Sequence, residues 1–351
     1  LKSLPMDQLE QWVLEHGEKK FRAKQLYQWM HVKLADSVEQ MSNLPAKLRE
    51  QISENSTFTV LKQVTMQESA IDGTRKYLFE LEDHNMVESV LMRYKHGNSV
   101  CISSQVGCRM GCRFCASTLD GLVRNLTPAE MLEQIYRISA DTGERVSNVV
   151  VMGTGEPLDN YDNLLTFIRM LTDENGLHIS QRNITASTCG IVPNIRRLAE
   201  EKLQITLALS LHGSTQEKRK ALMPVANKYE LSEVLEACDY YFEKTGRRIT
   251  FEYSLVHGVN DTEEDAKELI HILGPRNCHL NLIPVNPIKE RNFKKPDSKK
   301  AMEFQNKLEK NGINVTIRRE RGSDIDGACG QLRRRHAAKS EGETDENLCN
   351  D

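Results

Sequence analysis

The stretch that decides the fold is Cys108-Arg-Met-Gly-Cys112-Arg-Phe-Cys115, in which three cysteines fall within eight residues. It follows an apolar run, Ser99–Ser103, whose pattern predicts a β-strand. Thiolates at this density are typical ligands of a soft metal ion or an iron–sulfur cluster, or they are disulfide partners. On a four-iron cluster, three thiolates would leave one iron with an open coordination position. A zinc site, completed by a distant His or Cys to the usual four ligands, is the alternative.

Strand and helix patterns alternate from residue 98 to about residue 318. Such alternation predicts a parallel sheet with right-handed crossover helices. About six units are too few for a closed eight-stranded barrel, so we expect an α/β fold with an open, partial (β/α)6 barrel and its chemistry at the carboxyl ends of the strands. The strand candidates are Ser99–Ser103, Ser147–Met152, Asn183–Ser187, Ile205–Leu211, Ile249–Leu255, Cys278–Ile283 and Asn314–Ile317, and the helix candidates between them include Pro128–Ala140 and Thr262–Leu273.

Two smaller units precede the barrel. Residues 5 to about 52 have helical periodicity and contain both tryptophans, Trp12 and Trp29, which we expect to anchor a small helical module. This module is either an RNA-binding accessory domain or a packing cap. Runs rich in β-forming residues then predict a small antiparallel extension. Its strand candidates are Thr57–Leu61, Arg75–Leu81 and Val87–Met92.

The expected organisation is therefore a helical accessory domain at 1–54, a β extension at 55–97, the barrel with a C-terminal loop at 98–335, and an acidic tail at 336–351. The last eleven residues carry five acids and no Lys or Arg, so we expect the tail to be disordered. The net charge of −3 therefore hides basic clusters that could neutralise phosphates, although each one alone is more typical of a solvated surface. They are Lys218–Lys220, Lys289–Lys300 and Arg318–Arg335.

The composition indicates a protein of the cytoplasm. No apolar run approaches the roughly 20 residues that span a bilayer, and the N-terminal residues lack the hydrophobic core of a signal peptide. Nine cysteines, an odd number unevenly spread, suit functional thiols in a reducing compartment better than a secreted disulfide scaffold.

Further motifs follow the cysteine loop in a distinctive order. With it they resemble the RlmN/Cfr family of radical S-adenosylmethionine (SAM) enzymes, which methylate adenine carbons in RNA, and the resemblance runs from the helical module to Leu332. Thr154 departs from the family, which more often has Met there. The motifs are Cys101, Met152-Gly-Thr-Gly-Glu-Pro-Leu-Asp-Asn160, Ser210-Leu-His212, Leu282-Ile-Pro-Val-Asn286 and Asp324-Ile-Asp-Gly-Ala-Cys329-Gly-Gln-Leu332.

The resemblance implies a radical-SAM type of partial barrel with two cofactors. One [4Fe–4S] cluster would be bound by Cys108, Cys112 and Cys115. Taken alone, the glycine-rich turn is also typical of any tight strand-to-helix connection, and a lone histidine is more often a core residue. The positions that the resemblance assigns to SAM are Gly155, Glu156, Ser187, Ser210, Leu211, His212 and Asn286.

The resemblance also implies a route for a substrate carbon that is a poor nucleophile. Cys329 would take a methyl group from one SAM, and a second SAM would activate that methyl group for addition to adenine. Cys101 would then release the methylated RNA by forming a disulfide with Cys329, and Glu88 would accept the proton that leaves the adenine carbon. Without the resemblance, both cysteines would be expected as buried small hydrophobic residues and Glu88 as an acid on the solvent face of a strand.

The predicted function is methylation of carbon 2 of an adenosine in 23S ribosomal RNA, and also in transfer RNAs. The alternative within the family is a carbon-8 methyltransferase that confers antibiotic resistance, but Pro157 after Glu156 favours carbon 2. The expected partners are 23S rRNA, tRNA and a reducing electron donor such as flavodoxin or ferredoxin. A hypothesis of another class is a non-enzymatic iron–sulfur or zinc protein that binds RNA through its basic clusters.

Overall fold

The computed structural model describes residues 1–287, 291–327 and 330–336. Apart from residue 336, the tail that is predicted to be disordered lies outside the described residues. The described chain consists of a ten-stranded mixed sheet, helices packed against it, and a separate two-stranded hairpin. The helices are α1 (Met6–Glu15), α2 (Phe21–His31), α3 (Ala46–Asn55), α4 (Pro128–Thr142), α5 (Tyr161–Thr172), α6 (Val192–Glu200), α7 (Gln216–Leu222), α8 (Leu231–Thr245), α9 (Glu263–Leu273) and α10 (Ser298–Lys310). The strands are β1 (Lys62–Glu68), β2 (Arg75–Glu80), β3 (Met86–Tyr94), β4 (Gly97–Ile102), β5 (Gln105–Gly107), β6 (Leu122–Asn125), β7 (Val146–Val151), β8 (Ile184–Thr188), β9 (Thr206–Ser210), β10 (Ile249–Leu255), β11 (Cys278–Pro284) and β12 (Val315–Ile317).

The large sheet has the strand order β1-β2-β3-β4-β7-β8-β9-β10-β11-β12. Strands β1 to β4 pair antiparallel, whereas β4 and every strand beyond it pair parallel. Each of the seven strand candidates of the barrel overlaps one of the parallel strands, which confirms the α/β fold class. The hairpin, β5 and β6, flanks the cysteine loop.

One predicted strand is wrong. Residues 57–61 are not a strand, and the first strand begins at Lys62. The reason is the length of its neighbour, because the six residues of β2 pair with 62–68 and leave nothing for the preceding residues to bond. The backbone N–H of Leu61 donates instead to the Glu133 carboxylate on α4, at 3.3 Å.

The helices follow from local sequence signals. Thr127 and Glu130 form a capping box at the start of α4, Pro128 occupies its first turn, and Gly143 ends it in the left-handed conformation. In α1, Leu9 and Val13 are buried one turn apart, which is the spacing of one helix face. Within the described residues, no helix has the length and apolar composition needed to cross a membrane.

Side chains along the parallel strands alternate between the two faces of the sheet. In β9, Leu207 and Leu209 are wholly buried, while Ser210 lies on the opposite face. The residues beside Ser210 in the neighbouring strands lie on the same face. Glu252 on β10 pairs in register with Ser210 on one side and with Asn281 on the other. The inner face of the partial barrel therefore carries polar side chains at the level where the strands end.

Candidate active site

The three-cysteine loop leaves the hairpin strand β5 at Cys108. The Cys108 N–H donates to the carbonyl of Gly121 at 2.7 Å, and the Cys115 N–H donates to the carbonyl of Cys112 at 3.1 Å. Gly111 has a φ of +70°, and a Cβ added there would lie 3.3 Å from Pro224. The glycine between the first two cysteines therefore allows both a left-handed turn and close packing.

Burial sets the chemistry of these thiols. Cys108 and Cys112 are buried, and burial raises the pKa of Cys108 to about 12. Burial also raises the pKa of Cys112, and the charges of Cys115 and Cys108 raise it further. Metal binding at this loop must therefore displace protons from the thiols.

A four-iron cluster fits this loop. In the described part of the chain, no three His, Cys, Asp or Glu side chains converge on one point, as the ligands of a single ion would. Thiolates that bind separate irons of one cluster need not converge in this way. The fit is supported by a buried cation beside the loop, which would compensate the charge of a thiolate-bound cluster.

That cation is Arg219 on α7, whose side chain is wholly buried. Its Nη2 donates to the carbonyl of Cys189 at 2.5 Å, while Nε and Nη1 have no hydrogen-bond partner among the described residues. The guanidinium is close enough to Cys112 for its charge to oppose the rise of that thiol's pKa. The sequence pattern places Arg219 in a basic cluster that is typical of a solvated surface, and the structure corrects this.

The glycine-rich turn after β7 packs directly on the strand that leads to the cysteines. A Cβ added at Gly155, where φ is +111°, would lie 2.7 Å from the Gln105 Cβ and 2.8 Å from the Gln105 backbone nitrogen. The Gln105 side chain in turn accepts the backbone N–H of Glu156 at 2.8 Å. Only glycine permits this approach, so the turn is more specific than its sequence pattern suggested.

Glu156 is a buried carboxylate. Its Oε1 accepts the N–H of Leu158 at 3.0 Å, and its Oε2 accepts the N–H of Cys189 at 2.7 Å. Burial raises its pKa, and these hydrogen bonds oppose that rise. A buried carboxylate with oriented oxygens can accept further hydrogen bonds from a ligand's ammonium group.

His212 occupies the end of β9 in a left-handed conformation, with a φ of +52°. Its Nδ1 accepts the N–H of Ser254 at 2.9 Å, so the other ring nitrogen carries the proton. Burial lowers its pKa to about 3, and the ring is therefore neutral at pH 7. The Phe114 ring of the cysteine loop stands edge-on to it, 4.6 Å away between centroids. Leu211 is wholly buried, which leaves only its backbone to contact a ligand.

Ser187 and Asn286 lie at the ends of their own strands. The Ser187 hydroxyl donates to the carbonyl of Val151 at 3.1 Å. Asn286 follows β11 and lines a cavity of about 470 Å³, which Cys101 on β4 also lines. The structure thus brings Cys101 and Asn286 to one cavity, whereas the cysteine loop, Glu156 and His212 are not among its lining residues.

Cys329 itself lies outside the described residues, but its neighbours reach this site. Gly327 and Gln331 both line the cavity that contains Cys101. Gly330 has a φ of +79°, and a Cβ added there would lie 3.1 Å from the Cβ of Ala116, the residue after Cys115. The C-terminal segment, residues 322–336, therefore contacts both the cavity and the end of the cysteine loop.

Glu88 is not on the solvent face of its strand, so that alternative is wrong. Its side chain is 4% exposed and forms an ion pair with Lys76, Nζ to Oε2, at 2.8 Å. The same carboxylate accepts the backbone N–H of Gly330 at 2.6 Å and of Arg333 at 2.7 Å. The structure therefore joins Glu88 to the residue next to Cys329.

Sequence reasoning missed Lys76, Arg219 and Glu252. Glu252 is a buried acid that accepts a hydrogen bond from Asn281 at 2.8 Å, and burial raises its pKa. The signal for it was present, because Glu252 interrupts an apolar strand in the same way as Glu88. Nothing comparable marks Arg219, which stands among other basic residues.

Known proteins resemble this chain along most of its length. Residues 102–270 match the model of the radical SAM superfamily, and residues 1–58 match the model of a ribosomal RNA large subunit methyltransferase N-terminal domain. A probable dual-specificity RNA methyltransferase RlmN of Lachnospira eligens is 65% identical over 336 residues, which are 96% of each chain. This chain belongs to the RlmN family of radical SAM RNA methyltransferases. The corresponding protein of Lachnoclostridium phytofermentans is 60% identical over 97% of this chain and 96% of its own.

A solved methyltransferase structure has the same fold. A radical SAM methyltransferase from Sphaerobacter thermophilus superposes with a TM-score of 0.90 at 40% identity, over 94% of this chain and 98% of its own. The chain is therefore an RNA methyltransferase, and its cofactors are a [4Fe–4S] cluster and SAM. The hypothesis of a non-enzymatic RNA-binding protein is wrong. In this family the three thiols of the loop, Cys108, Cys112 and Cys115, would hold the cluster.

Proposed function

We propose that this RlmN-family enzyme methylates carbon 2 of an adenosine in 23S rRNA, and of an adenosine in tRNAs, through a methyl group carried by Cys329. The observation that carries the proposal is the cavity of about 470 Å³, which is lined by Cys101 and by Gly327 and Gln331 on either side of Cys329. Two thiols that act in turn on one methyl group must reach a common space. The basic residues Arg318 and Arg319 also line this cavity and suit an RNA substrate.

When bound, the cluster and SAM supply the methyl group, the hydrogen-atom abstraction that activates it, and the one-electron exchange that balances the reaction. The residues of the chain then orient the bound groups and exclude water from the site. Glu156, with both oxygens fixed by backbone N–H groups, suits the ammonium of SAM. The neutral His212 ring can donate from its protonated nitrogen, and Ser187, Ser210 and Asn286 offer polar groups at strand ends.

The two cysteines have distinct tasks in the proposal. The carbon borne by the sulfur of Cys329 bonds to carbon 2 of adenine. The Cys101 thiolate then attacks the Cys329 sulfur, so that an S–S bond forms and the S–C bond breaks. The electron pair of the broken bond stays on the carbon, which takes a proton and becomes the methyl group of the RNA. Glu88 takes the proton that leaves carbon 2.

The remaining partners follow from the same proposal. A reducing donor such as flavodoxin or ferredoxin would supply electrons in the cytoplasm, and the helices of residues 1–54 would help to bind RNA. Phe21, which is half exposed, supports the latter, and so does Lys33, whose Nζ lies 3.6 Å from the centroid of the partly buried Trp29 ring. The boundaries at 54, 97 and 335 stay predictions.

Nucleoside mass spectrometry tests the choice of carbon. RNA treated with the reconstituted enzyme should contain 2-methyladenosine, and 8-methyladenosine as the sole product would contradict the proposal in favour of the carbon-8 alternative. The variant Cys101→Ala should accumulate a covalent RNA–protein adduct, whereas Cys329→Ala should form neither adduct nor product. Normal turnover by Cys101→Ala would refute the role given to that thiol.

A further inference from the structure

A buried ion pair lies between the first strands of the sheet. Lys76 on β2 is wholly buried and lies 2.8 Å from the Glu88 carboxylate on β3. Glu88 pairs in register with Leu78, and Lys76 pairs with Val90, two positions away. Because side chains alternate along a strand, both charges project from the same face. Val90 is also the register partner of Cys101, so this face is the one that bears Cys101.

The Glu88 carboxylate reaches from this pair to the chain just after Cys329. Its Oε2 accepts the N–H of Gly330 at 2.6 Å, and its Oε1 accepts the N–H of Arg333 at 2.7 Å. The Ser103 hydroxyl donates to the backbone carbonyl of Glu88 at 2.8 Å. Hydrogen bonds to an ionised carboxylate are the strong class, so both the strand and the side chain of Glu88 are held in one geometry.

The chain before Cys329 is held by the neighbouring strand β1 and by the turn that follows it. The Asp324 carboxylate accepts a hydrogen bond from the hydroxyl of Ser69 at 2.5 Å and from the backbone N–H of the residue after Ser69 at 2.8 Å. The N–H of Asp326 donates to the side chain of Gln67 at 3.0 Å, and the Gln67 amide donates back to the Asp326 carboxylate at 3.0 Å. The antiparallel extension therefore fastens the C-terminal segment on both sides of Cys329.

We propose that the Lys76–Glu88 pair is a latch that positions the segment bearing Cys329, and that Lys76 is a positioning residue for methyl transfer. The ammonium of Lys76 orients the carboxylate, and the carboxylate holds the amides of Gly330 and Arg333. This inference rests on the proposed function only for the role of Cys329.

The latch uses the same carboxylate that the proposed function makes the proton acceptor. Each oxygen of Glu88 accepts a backbone N–H, and Oε2 also faces Lys76. A carboxylate oxygen has two lone pairs, so Oε1 keeps one for the proton that leaves carbon 2. Holding the segment and accepting the proton are therefore compatible tasks for Glu88.

A contribution to the stability of the sheet does not explain why a buried ion pair stands at this position. Buried ion pairs are often no more stabilising than apolar side chains of similar volume, which would pack the same space. Leu78, which is the register partner of Glu88 and shares its face, is apolar and buried, so the site is suited to such packing. A charged pair is needed here because an apolar pair would offer no acceptor to the N–H groups of Gly330 and Arg333.

Hydrogen exchange measured by mass spectrometry on the cluster-loaded enzyme tests the latch. The variants Lys76→Met and Glu88→Gln should accelerate exchange at residues 330–336 about tenfold or more. The matched control is Lys62→Met, because Lys62 on β1 forms an ion pair with Glu80 on β2 at 3.0 Å, and its side chain is exposed to solvent. This control should leave exchange at residues 330–336 unchanged.

Amides of β10 report whether a variant has loosened as a whole. Acceleration confined to residues 330–336 supports the latch. Unchanged exchange there in both Lys76→Met and Glu88→Gln overturns it, and so does equal acceleration in β10. Glu88→Gln is nearly isosteric and keeps the inference testable if Lys76→Met does not fold.

A kinetic measurement distinguishes a positioning role of Lys76 from a merely structural one. The rate constant kcat per bound cluster should fall in Lys76→Met, while KM for RNA stays the same, because the latch holds the segment bearing Cys329 rather than the RNA. A raised KM with unchanged kcat would overturn the positioning role. The exchange experiment uses neither RNA nor SAM. Absence of methyl transfer by the unaltered enzyme would therefore refute the proposed function and leave the exchange result valid.

Discussion

Replacing Gly155 by alanine should damage the site through its contact with Gln105. The added Cβ would lie 2.7 Å from the Gln105 Cβ and 2.8 Å from its backbone nitrogen, where ordinary carbon contacts are about 3.5–4.0 Å. The obstructing atoms belong to β5, and that strand leads within three residues to Cys108. Relief of the clash must therefore displace either the glycine-rich turn or the start of the cysteine loop.

The magnitude has two parts. A left-handed backbone costs an L-residue about 1–2 kcal/mol, and overpacking a rigid contact adds about 1–3 kcal/mol. The matched control is Gly143→Ala, because Gly143 also has a positive φ, +66°, but a Cβ there would meet nothing within 4 Å. The control therefore measures the backbone part alone.

Thermal unfolding and SAM binding provide the assay. With about 2.1 cal/mol/K of unfolding entropy per residue, 1 kcal/mol shifts the Tm of 351 residues by roughly 1.4 °C. We expect Gly143→Ala to lower the Tm by about 1–3 °C and Gly155→Ala by about 3–7 °C. Only Gly155→Ala should also weaken SAM binding. Equal Tm losses with unchanged SAM affinity would show that the contact with Gln105 does not constrain the site.

Three further predictions concern single side chains. Glu252→Gln should leave stability little changed below the ordinary pKa of a glutamate, and should raise it increasingly as the pH rises above that value. Burial raises the folded-state pKa of Glu252 above the usual 4.5, so the folded protein binds the proton more tightly than the unfolded chain and loses stability as the pH rises through the folded-state pKa. A Tm difference that does not grow with pH would contradict this. Glu156→Gln should weaken SAM binding about tenfold to a hundredfold, measured by equilibrium dialysis, because a charge-assisted hydrogen bond contributes about 1.5–3 kcal/mol; unchanged affinity would exclude its contact with the ammonium. Cys112→Ser should prevent assembly of the cluster, measured as bound iron, whereas Cys189→Ser, a buried neighbour, should retain it. Equal iron loss in both would mean that the ligand set is not the three-cysteine loop.

Local pattern was sufficient for much of the fold. The seven parallel strands were predictable because each is a short run rich in apolar or β-branched residues between helical stretches, and α4 was predictable from its cap at Thr127. The strand predicted at residues 57–61 failed for a reason that is not local. Its β propensity is real, but the short neighbour β2 leaves those residues without a partner.

The candidate site could likewise be predicted only in part. The spacing of Cys108, Cys112 and Cys115 is enough to indicate a cluster, since the ligands lie within one loop. Burial of Arg219 and the engagement of Glu88 could not be read from the chain, because neighbouring residues in sequence say little about which helix or segment will cover them.

The polar residues at strand ends were assigned by the resemblance to the family. Sequence pattern alone was enough to predict the three-cysteine loop and the order of the parallel strands. Each of these depends on residues that are close together in the chain, where spacing and periodicity act directly. The contacts of Glu88 depend instead on the folded chain, because Gly330 is 242 residues away in sequence. Strand register brings Lys76 and Glu88 together on one face, and packing of the C-terminal segment supplies the N–H groups. The cysteines of the loop could be recognised from their spacing, but the contacts that hold the segment bearing Cys329 form only when distant parts of the chain pack together.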